Sequence, residues 1–277
     1  MKHPILYLIP AGGLANRMRS VASGYWLSAE TGCQLQIIWF RDWALNAPFY
    51  ELFSPDTEIA SRLREARWAD YLLYDRARRR NLWLPALPQY FLFDKRLHEK
   101  EIKPLRSKGF DFVGWAKEGR CYMSNHLHFG HWQPSLYHQL FHPVQAVKEG
   151  TERLMERFSA HTIGVHVRRG DNAYCITHSP VELYYQKIQE EIDLNSDTKV
   201  FLATDSEVVK QEMKRRFAER IITVDQAADR GNVEGIRGGM VDLYSLAATS
   251  KIYGSAGSSF ALTAAEIGGI EMHDLRC

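Results

Sequence analysis

Strands and helices alternate along the second half of the chain, and this alternation limits the folds that the sequence can adopt. Short apolar segments rich in β-branched residues are each followed by a segment with helical periodicity. The predicted strands are 162–167, 200–203, 221–224 and 251–253, and the predicted helices are 147–158, 180–192, 207–217, 240–249 and 260–267. Such an order predicts an α/β fold in which helices cover both faces of a parallel sheet.

The first half opens with a β-loop-α-β pattern. An apolar strand over 5–9 is followed by Pro-Ala-Gly-Gly, a helical pattern from Leu14 to Ala29, and a second strand over 35–40. A glycine loop before a helix exposes backbone N–H groups that favour phosphate, although a Gly-Gly pair is also common in plain turns. The spacing differs from the GxGxxG dinucleotide pattern. Residues 41–150 show few clean periods and predict short helices and long loops, so we expect two Rossmann-like domains facing a cleft, 1–150 and 151–277.

The composition argues against several classes of partner. Lys and Arg number 35 and Asp and Glu 33, so the net charge of +2 gives no general attraction for nucleic acid or for a membrane. The basic run at 76–80 is interpreted as a solvated helix face. No apolar stretch approaches the length of an integral membrane segment, and the four scattered cysteines form no CxxC pair. A cytoplasmic protein without nucleic-acid partners is expected.

Three histidines occur within residues 125–131. A metal site needs three or four converging ligands, and no carboxylate or cysteine is suitably spaced in this segment. We therefore expect loop or interface histidines here and no metal.

One strand ends in a cluster of charged residues. The apolar run at 162–167 contains His166 and leads directly into Arg168 and Arg169. Ligands of open α/β sheets bind at the carboxyl ends of strands, and the planar guanidinium of arginine can hold two phosphate oxygens at once. The alternative is a surface turn in which Gly170 bends the chain and Asp171 pairs with an arginine.

A second helix start supports phosphate binding. Ser258 and Ser259 precede Phe260 where a helix begins, so their hydroxyl and N–H groups suit a phosphate at the positive end of that helix. Asp242 lies upstream, and its carboxylate can accept two hydrogen bonds from a guanine edge. A helix cap or a solvated acid is the other reading of Asp242.

These segments together resemble a known family. GGLANR at 12–17, HVRRGD at 166–171 and GSSF at 257–260, in this order, are similar to motifs of the GDP-fucose-dependent fucosyltransferase superfamily. That superfamily contains α1,2- and α1,6-fucosyltransferases and protein O-fucosyltransferases. The ATD triplet at 203–205 and the spacing from Asp242 to SSF add to the resemblance.

The resemblance implies a GT-B-like fold with the acceptor on the side of domain 1–150 and the donor bound mainly by domain 151–277. It implies fucose transfer from GDP-fucose with inversion and with neither a metal nor a further cofactor. Arg168 would be the catalytic residue that holds the β-phosphate, while His166 and Asp242 would contact guanosine. The implied donor-binding residues are Gly12, Gly13, Leu14, Ala15, Asn16, His166, Arg168, Asp205, Asp242, Ser258, Ser259 and Phe260.

The sequence leaves several alternatives open. The acceptor is a glycan or another hydroxyl compound, and no general base is evident, with Asp42, Glu51 and Asp171 as candidates. A GT-B transferase with another nucleotide sugar and a non-catalytic GDP-sugar-binding protein are the alternative functions. A doubly wound domain that binds an unrelated phosphate is a third.

Overall fold

The computed structural model describes residues 3–73, 86–170, 173–225 and 229–277. The basic run at 76–80 and Asp171 lie outside these residues. The chain divides into two compact units, Met1–His142 and Pro143–Cys277. Each unit has its own five-stranded sheet, and every strand pairing within both sheets is parallel.

The first unit is built on a sheet with the strand order β3-β2-β1-β5-β4. Its elements are β1 (Ile5–Pro10), α1 (Leu14–Thr31), β2 (Gln34–Trp39), a 3₁₀ turn (Phe49–Glu51), α2 (Thr57–Arg62), β3 (Leu63–Glu65), α3 (Asp70–Leu73), α4 (Ala86–Leu92), β4 (Lys95–Leu97), α5 (Glu99–Ser107), α6 (Phe112–Ala116), β5 (Arg120–Asn125) and α7 (Leu136–Leu140). The β-loop-α-β pattern predicted at the start of the chain is confirmed. The short strands β3 and β4 and the strand β5 were not predicted.

The second unit is built on a sheet with the order β10-β9-β6-β7-β8. Its elements are α8 (Gln145–Met155), β6 (Thr162–Val167), α9 (Ala173–His178), α10 (Val181–Leu194), β7 (Lys199–Thr204), α11 (Glu207–Phe217), a 3₁₀ turn (Ala218–Arg220), β8 (Ile221–Ile222), α12 (Val233–Ala247), β9 (Ile252–Ser255), α13 (Ser259–Gly268) and β10 (Met272–Leu275). The parallel sheet expected from the alternating pattern is confirmed. The helix expected over 240–249 begins earlier, at Val233, and the edge strand β10 was not predicted.

The central strands are buried because helices cover them. All six residues of β6 are buried, as expected for a central parallel strand. Helix α1 buries Leu14, Met18 and Val21 at steps of three and four residues and ends at Gly32, whose φ of 68° is left-handed. Within the described residues, none of the helices combines the length and the apolar character needed to cross a membrane.

Candidate functional site

The carboxyl ends of β6 and β9 are joined by a serine hydroxyl. Ser255 Oγ accepts a hydrogen bond from the Arg168 backbone N–H at 3.0 Å and donates to the carbonyl of His166 at 3.3 Å. The Tyr184 hydroxyl lies 2.7 Å from the same oxygen. Because Ser255 and Tyr184 are buried, this network fixes the backbone from which the Arg168 side chain leaves the sheet.

His166 is buried between the end of β6 and the start of α13. Its Nδ1 lies 3.2 Å from Ser258 Oγ, and its ring stacks on Phe260 with centroids 5.1 Å apart. Burial, reinforced by the nearby positive charge of Arg168, lowers the pKa of His166 to about 4. The imidazole is therefore neutral at neutral pH, and it lies buried against Phe260 and close to the charge of Arg168.

The N-terminus of α13 lies beside His166. Ser258 caps the helix, since its side chain accepts from the Ala261 N–H at 3.3 Å. Ser258 is buried, whereas Ser259 and Phe260 are partly exposed. The helix start presents backbone N–H groups and a partial positive charge, which suits a phosphate. The predicted residues His166, Ser258, Ser259 and Phe260 are thus brought together.

A carboxylate holds the loop that follows β6. Asp205 Oδ1 accepts from the Arg169 N–H at 2.6 Å, and a Cβ at position 170 would meet Asp205 Oδ2 at 2.8 Å. The Arg169 guanidinium donates to the backbone carbonyls of Ile176 and Ser179. Arg169 and Asp205 therefore shape the loop, and donor contact by Asp205 remains a prediction.

Asp242 lies on α12 at the level of His166. A Cβ at Gly164 would lie 3.0 Å from Leu246 Cδ2, so the same face of β6 that carries His166 faces α12. The Ser250 N–H that follows α12 donates to the Thr162 carbonyl at 2.9 Å, so α12 runs antiparallel to β6. One helical turn of about 5.4 Å nearly matches two strand residues of about 3.3 Å each. Asp242, one turn before Leu246, therefore stands level with His166.

Asp242 is a partly exposed residue with one buried carboxyl oxygen. Its Oδ1 is buried and has no hydrogen-bond partner among the described residues. Burial raises the pKa of Asp242 to about 8, and the ammonium of Lys210 only partly opposes this effect. A buried acceptor of this kind fits a ligand that brings hydrogen-bond donors.

The glycine loop of the first unit has the predicted position at the start of α1. Gly12 has a φ of 79°, and Gly13 is the N-cap of the helix. The side chains of Leu14 and Ala15 are buried, so only their backbone N–H groups could reach a ligand. Asn16 is partly exposed in the first turn.

Arg17, for which no role was predicted, holds this loop. Its fully buried guanidinium donates from Nε to the Gly12 carbonyl at 2.8 Å and from Nη1 to the Phe40 carbonyl. Nη2 lies 3.0 Å from Asp42 Oδ1, and the group packs over the Trp39 ring. Arg17 therefore connects the loop after β1 to the segment after β2.

Of the residues considered as general bases, Asp42 has contacts that the structure describes in detail. Asp42 Oδ1 accepts from the N–H groups of Ala44 at 2.8 Å and Leu45 at 3.2 Å in addition to its contact with Arg17. Asp42 is thus engaged in holding the loop. Asp171 lies outside the described residues.

The histidine segment contains a contact between a histidine and a carboxylate that was not predicted. His126 Nδ1 lies 2.5 Å from Glu99 Oε1, although Glu99 is distant in sequence. His128 Nε2 lies 3.1 Å from the Gly130 carbonyl. Within the described ranges, no group of three or more histidine, cysteine or carboxylate side chains is arranged to hold a metal ion.

The likeness to known proteins appears in the fold rather than in the sequence. No protein-family model matches the chain, and no curated protein matches it. The fold is similar to the fucosyltransferase NodZ from Bradyrhizobium, with a TM-score of 0.63 and 18% identity over 95% of this chain and 92% of that chain. It is similar to a mutant of Arabidopsis thaliana FUT1 in complex with GDP, with a TM-score of 0.65 and 15% identity over 98% of this chain and 70% of that chain.

A third solved structure shares the fold. POFUT1 in complex with GDP-fucose aligns with a TM-score of 0.57 and 10% identity over 98% of each chain. The chain therefore has the GT-B-like α/β fold of these fucosyltransferases, and the resemblance inferred from its motifs is confirmed at the level of fold.

Proposed function

We propose that this protein is a fucosyltransferase-like glycosyltransferase that takes its sugar from GDP-fucose and transfers it to a glycan or another hydroxyl acceptor. The GT-B-like fold supports a glycosyltransferase, and the cluster at the carboxyl ends of β6 and β9 supports a nucleotide-sugar donor. The proposed reaction inverts the anomeric carbon and uses no metal.

The assignment of guanine as the nucleobase rests on the buried oxygen of Asp242. Guanine presents two adjacent donors, N1–H and the 2-amino group, whereas uracil and adenine present no such pair on one edge. Asp242 Oδ1 is buried and without a partner among the described residues, at the level of the flat His166–Phe260 pair. A guanine edge there would bring hydrogen-bond donors to the carboxyl oxygens, and leaving a buried polar group of this kind unpaired costs about 1–3 kcal/mol.

The diphosphate is assigned to Arg168 and the N-terminus of α13. Breaking the bond between the sugar and the phosphate builds negative charge on the departing diphosphate. A guanidinium with a fixed backbone, together with helix N–H groups, stabilises that charge, and each such donor contributes about 3–4 kcal/mol to catalysis in known cases. Arg168 would thereby supply the charge stabilisation that a metal ion supplies in other transferases. Lysine at this position would keep the charge but lose the planar fork.

The test is calorimetric titration of the protein with GDP, UDP, ADP and GDP-fucose, with and without EDTA. We expect GDP and GDP-fucose to bind in the micromolar range in both buffers, and UDP and ADP to bind far more weakly. Arg168→Lys should weaken GDP binding by about tenfold or more because the bidentate contact is lost. Arg153→Lys, an exposed change on α8, is the matched control.

Different outcomes separate the alternatives. Stronger binding of UDP than GDP would favour a GT-B transferase with another donor. Binding of GDP-fucose without transfer or hydrolysis would favour a non-catalytic GDP-sugar-binding protein. Equal affinities of wild type and Arg168→Lys for GDP would contradict the assigned phosphate site.

A further inference from the structure

The sheet of the first unit has a topological switch point between β1 and β5. The chain leaves β1 through α1 toward β2 on one side, whereas β5 and β4 lie on the other side. Ligands of open α/β sheets bind at the carboxyl edge of such a point. β1 and β5 are paired in register up to Pro10 and Asn125, and the Ala11 N–H donates to the Asn125 carbonyl at 2.7 Å. The residues just after β5 are therefore direct neighbours of the glycine loop.

His126 is the first residue after β5, and its backbone is held firmly. The buried Asn125 side chain accepts from the Leu127 N–H at 2.9 Å and donates to the Leu127 carbonyl, which clasps the turn around His126. The following loop is anchored on α1, since Ser23 Oγ accepts from the Phe129 N–H at 3.0 Å. The backbone position of His126 is thus set by the fold.

A carboxylate orients the His126 ring. Nδ1 of His126 lies 2.5 Å from Oε1 of Glu99, which begins α5 and is 10% exposed in its side chain. The Glu99 N–H donates to Ser124 Oγ at 3.2 Å, so the start of α5 is tied to β5. The His126 side chain remains 20% exposed, and no hydrogen bond to its Nε2 is formed by the residues that the structure describes. A histidine with one nitrogen against a carboxylate and a partly exposed ring is arranged to take up a proton on its other nitrogen.

We propose that His126 is the general base that removes the proton of the acceptor hydroxyl, and that Glu99 orients its ring and stabilises the imidazolium. The proposal rests on the proposed function and on the expectation that the acceptor is bound by the first unit, in which His126 lies. His126 Nε2 takes the proton of the acceptor, and the acceptor oxygen forms the bond to the anomeric carbon. The bond from that carbon to the diphosphate oxygen breaks, and its electron pair leaves with GDP.

The test uses GDP-fucose with two nucleophiles that differ in their need for a base. Water must lose a proton when it attacks, whereas azide is already an anion and needs no base. His126→Asn should reduce the kcat of GDP-fucose hydrolysis by about 100-fold or more, the usual contribution of a general base. The same variant should release GDP at the wild-type rate when azide is present, and its affinity for GDP should be unchanged.

Glu99→Gln tests the positioning role of the carboxylate. This variant keeps a side chain of similar shape but removes the charge, so hydrolysis should slow less than in His126→Asn, and azide should again restore GDP release. The double variant should be no slower than His126→Asn alone, because Glu99 acts through His126. His131→Asn, an exposed histidine of the same loop, is the matched control and should retain the wild-type rate.

The outcomes distinguish this proposal from the proposed function. If wild type binds GDP and hydrolyses GDP-fucose but His126→Asn does so equally fast, the base assignment is wrong and the function stands. A loss that azide does not restore would also overturn it, since the defect would then lie in positioning or folding. If wild type binds GDP-fucose but releases no GDP with either nucleophile, there is no reaction in which a base could act, and the assignment of His126 is likewise wrong. Absence of GDP binding by wild type would remove the proposed function itself.

Discussion

At the scale of single residues, burial of Asp242 raises its pKa to about 8 and leaves the carboxyl protonated at neutral pH. A guanine edge binds the ionised carboxylate, so GDP binding should release a proton. His166 has a pKa of about 4, so it stays neutral above pH 6 and contributes no proton to this effect. The positive charge of Lys210 favours the ionised form of Asp242 but only partly opposes the effect of burial. Between pH 6 and pH 8 the affinity for GDP should rise by up to about tenfold per unit, since one unit corresponds to about 1.4 kcal/mol.

Calorimetry in buffers of different ionisation enthalpy measures that proton. In Asp242→Asn the proton release assigned to this carboxyl should disappear. GDP should also bind more weakly, because the amide offers one acceptor and a mismatched donor. Asp193→Asn, an exposed change on α10, serves as control. Equal proton release by wild type and Asp242→Asn would contradict the assignment of the guanine contact.

The same carboxyl has a consequence for stability. Its pKa is about 8 in the folded protein and about 3.9 in an unfolded chain, so the folded state retains a proton that the unfolded state has lost. The free energy of unfolding should therefore fall as pH rises through this window, by up to about 1.4 kcal/mol per unit. Asp242→Asn removes the titration, and its melting temperature relative to wild type should rise from pH 5 to pH 8. A constant difference across this range would show that burial does not perturb the group.

Some of the site residues could be found from the sequence and others could not. His166 lies near the end of one predicted strand, and Ser258 follows another. Because parallel strands end at the same edge of a sheet, the sequence places these two residues together. Ser255, Tyr184 and Arg17 act through backbone carbonyls and N–H groups whose positions only the folded chain defines. No local sequence pattern indicates that a serine, a tyrosine or an arginine will have such a role.

At the scale of elements, the sequence identified strands and helices whose local preference agrees with their packing. β6 and α11 have the predicted bounds. β5, with the sequence RCYMSN, lacks β-branched residues, and it is a strand because it pairs along its whole length with β1. The predicted start of α12 was too late because its first half contains three glycines, which disfavour helix in isolation.

The contact between α13 and β9 depends on a glycine. A Cβ at Gly254 would lie 2.8 Å from the Ala261 Cβ of α13 and 2.7 Å from Met272 Cε. Gly254→Ala should push α13 away from the sheet and lower the free energy of unfolding by about 1–3 kcal/mol, as overpacking does. GDP binding should weaken with it, because Ser258 and Phe260 move with the helix.

A second glycine provides the matched control for urea unfolding of this variant. A Cβ at Gly239 in α12 meets nothing within 4 Å. Gly239→Ala should therefore stabilise the protein by up to about 1 kcal/mol, the difference in helix propensity. Equal changes in both variants would show that contact with α13 does not decide the effect at Gly254.

At the scale of the whole molecule, each unit contains a complete sheet with its own apolar core. The core of the second unit includes Val165, Tyr184, Leu202, Met213 and Tyr253, which all belong to that unit. The proposed contacts to guanine and diphosphate also come from this unit, whereas the glycine loop and His126 belong to the first. The residues proposed to recognise the nucleotide and the proposed general base therefore belong to two different sheets.

This division predicts that a fragment comprising Pro143–Cys277 folds by itself and binds GDP in preference to UDP. It retains His166, Arg168, Asp242 and the start of α13, so all the proposed contacts to guanine and diphosphate are present in it. Urea unfolding should be cooperative, with an m value of about 1–3 kcal/mol/M, as for other small domains. The fragment should release no GDP from GDP-fucose, because the proposed base is absent. A folded fragment that binds GDP and UDP equally would contradict the placement of guanine recognition in this unit, and hydrolysis by it would contradict the assignment of the base to His126.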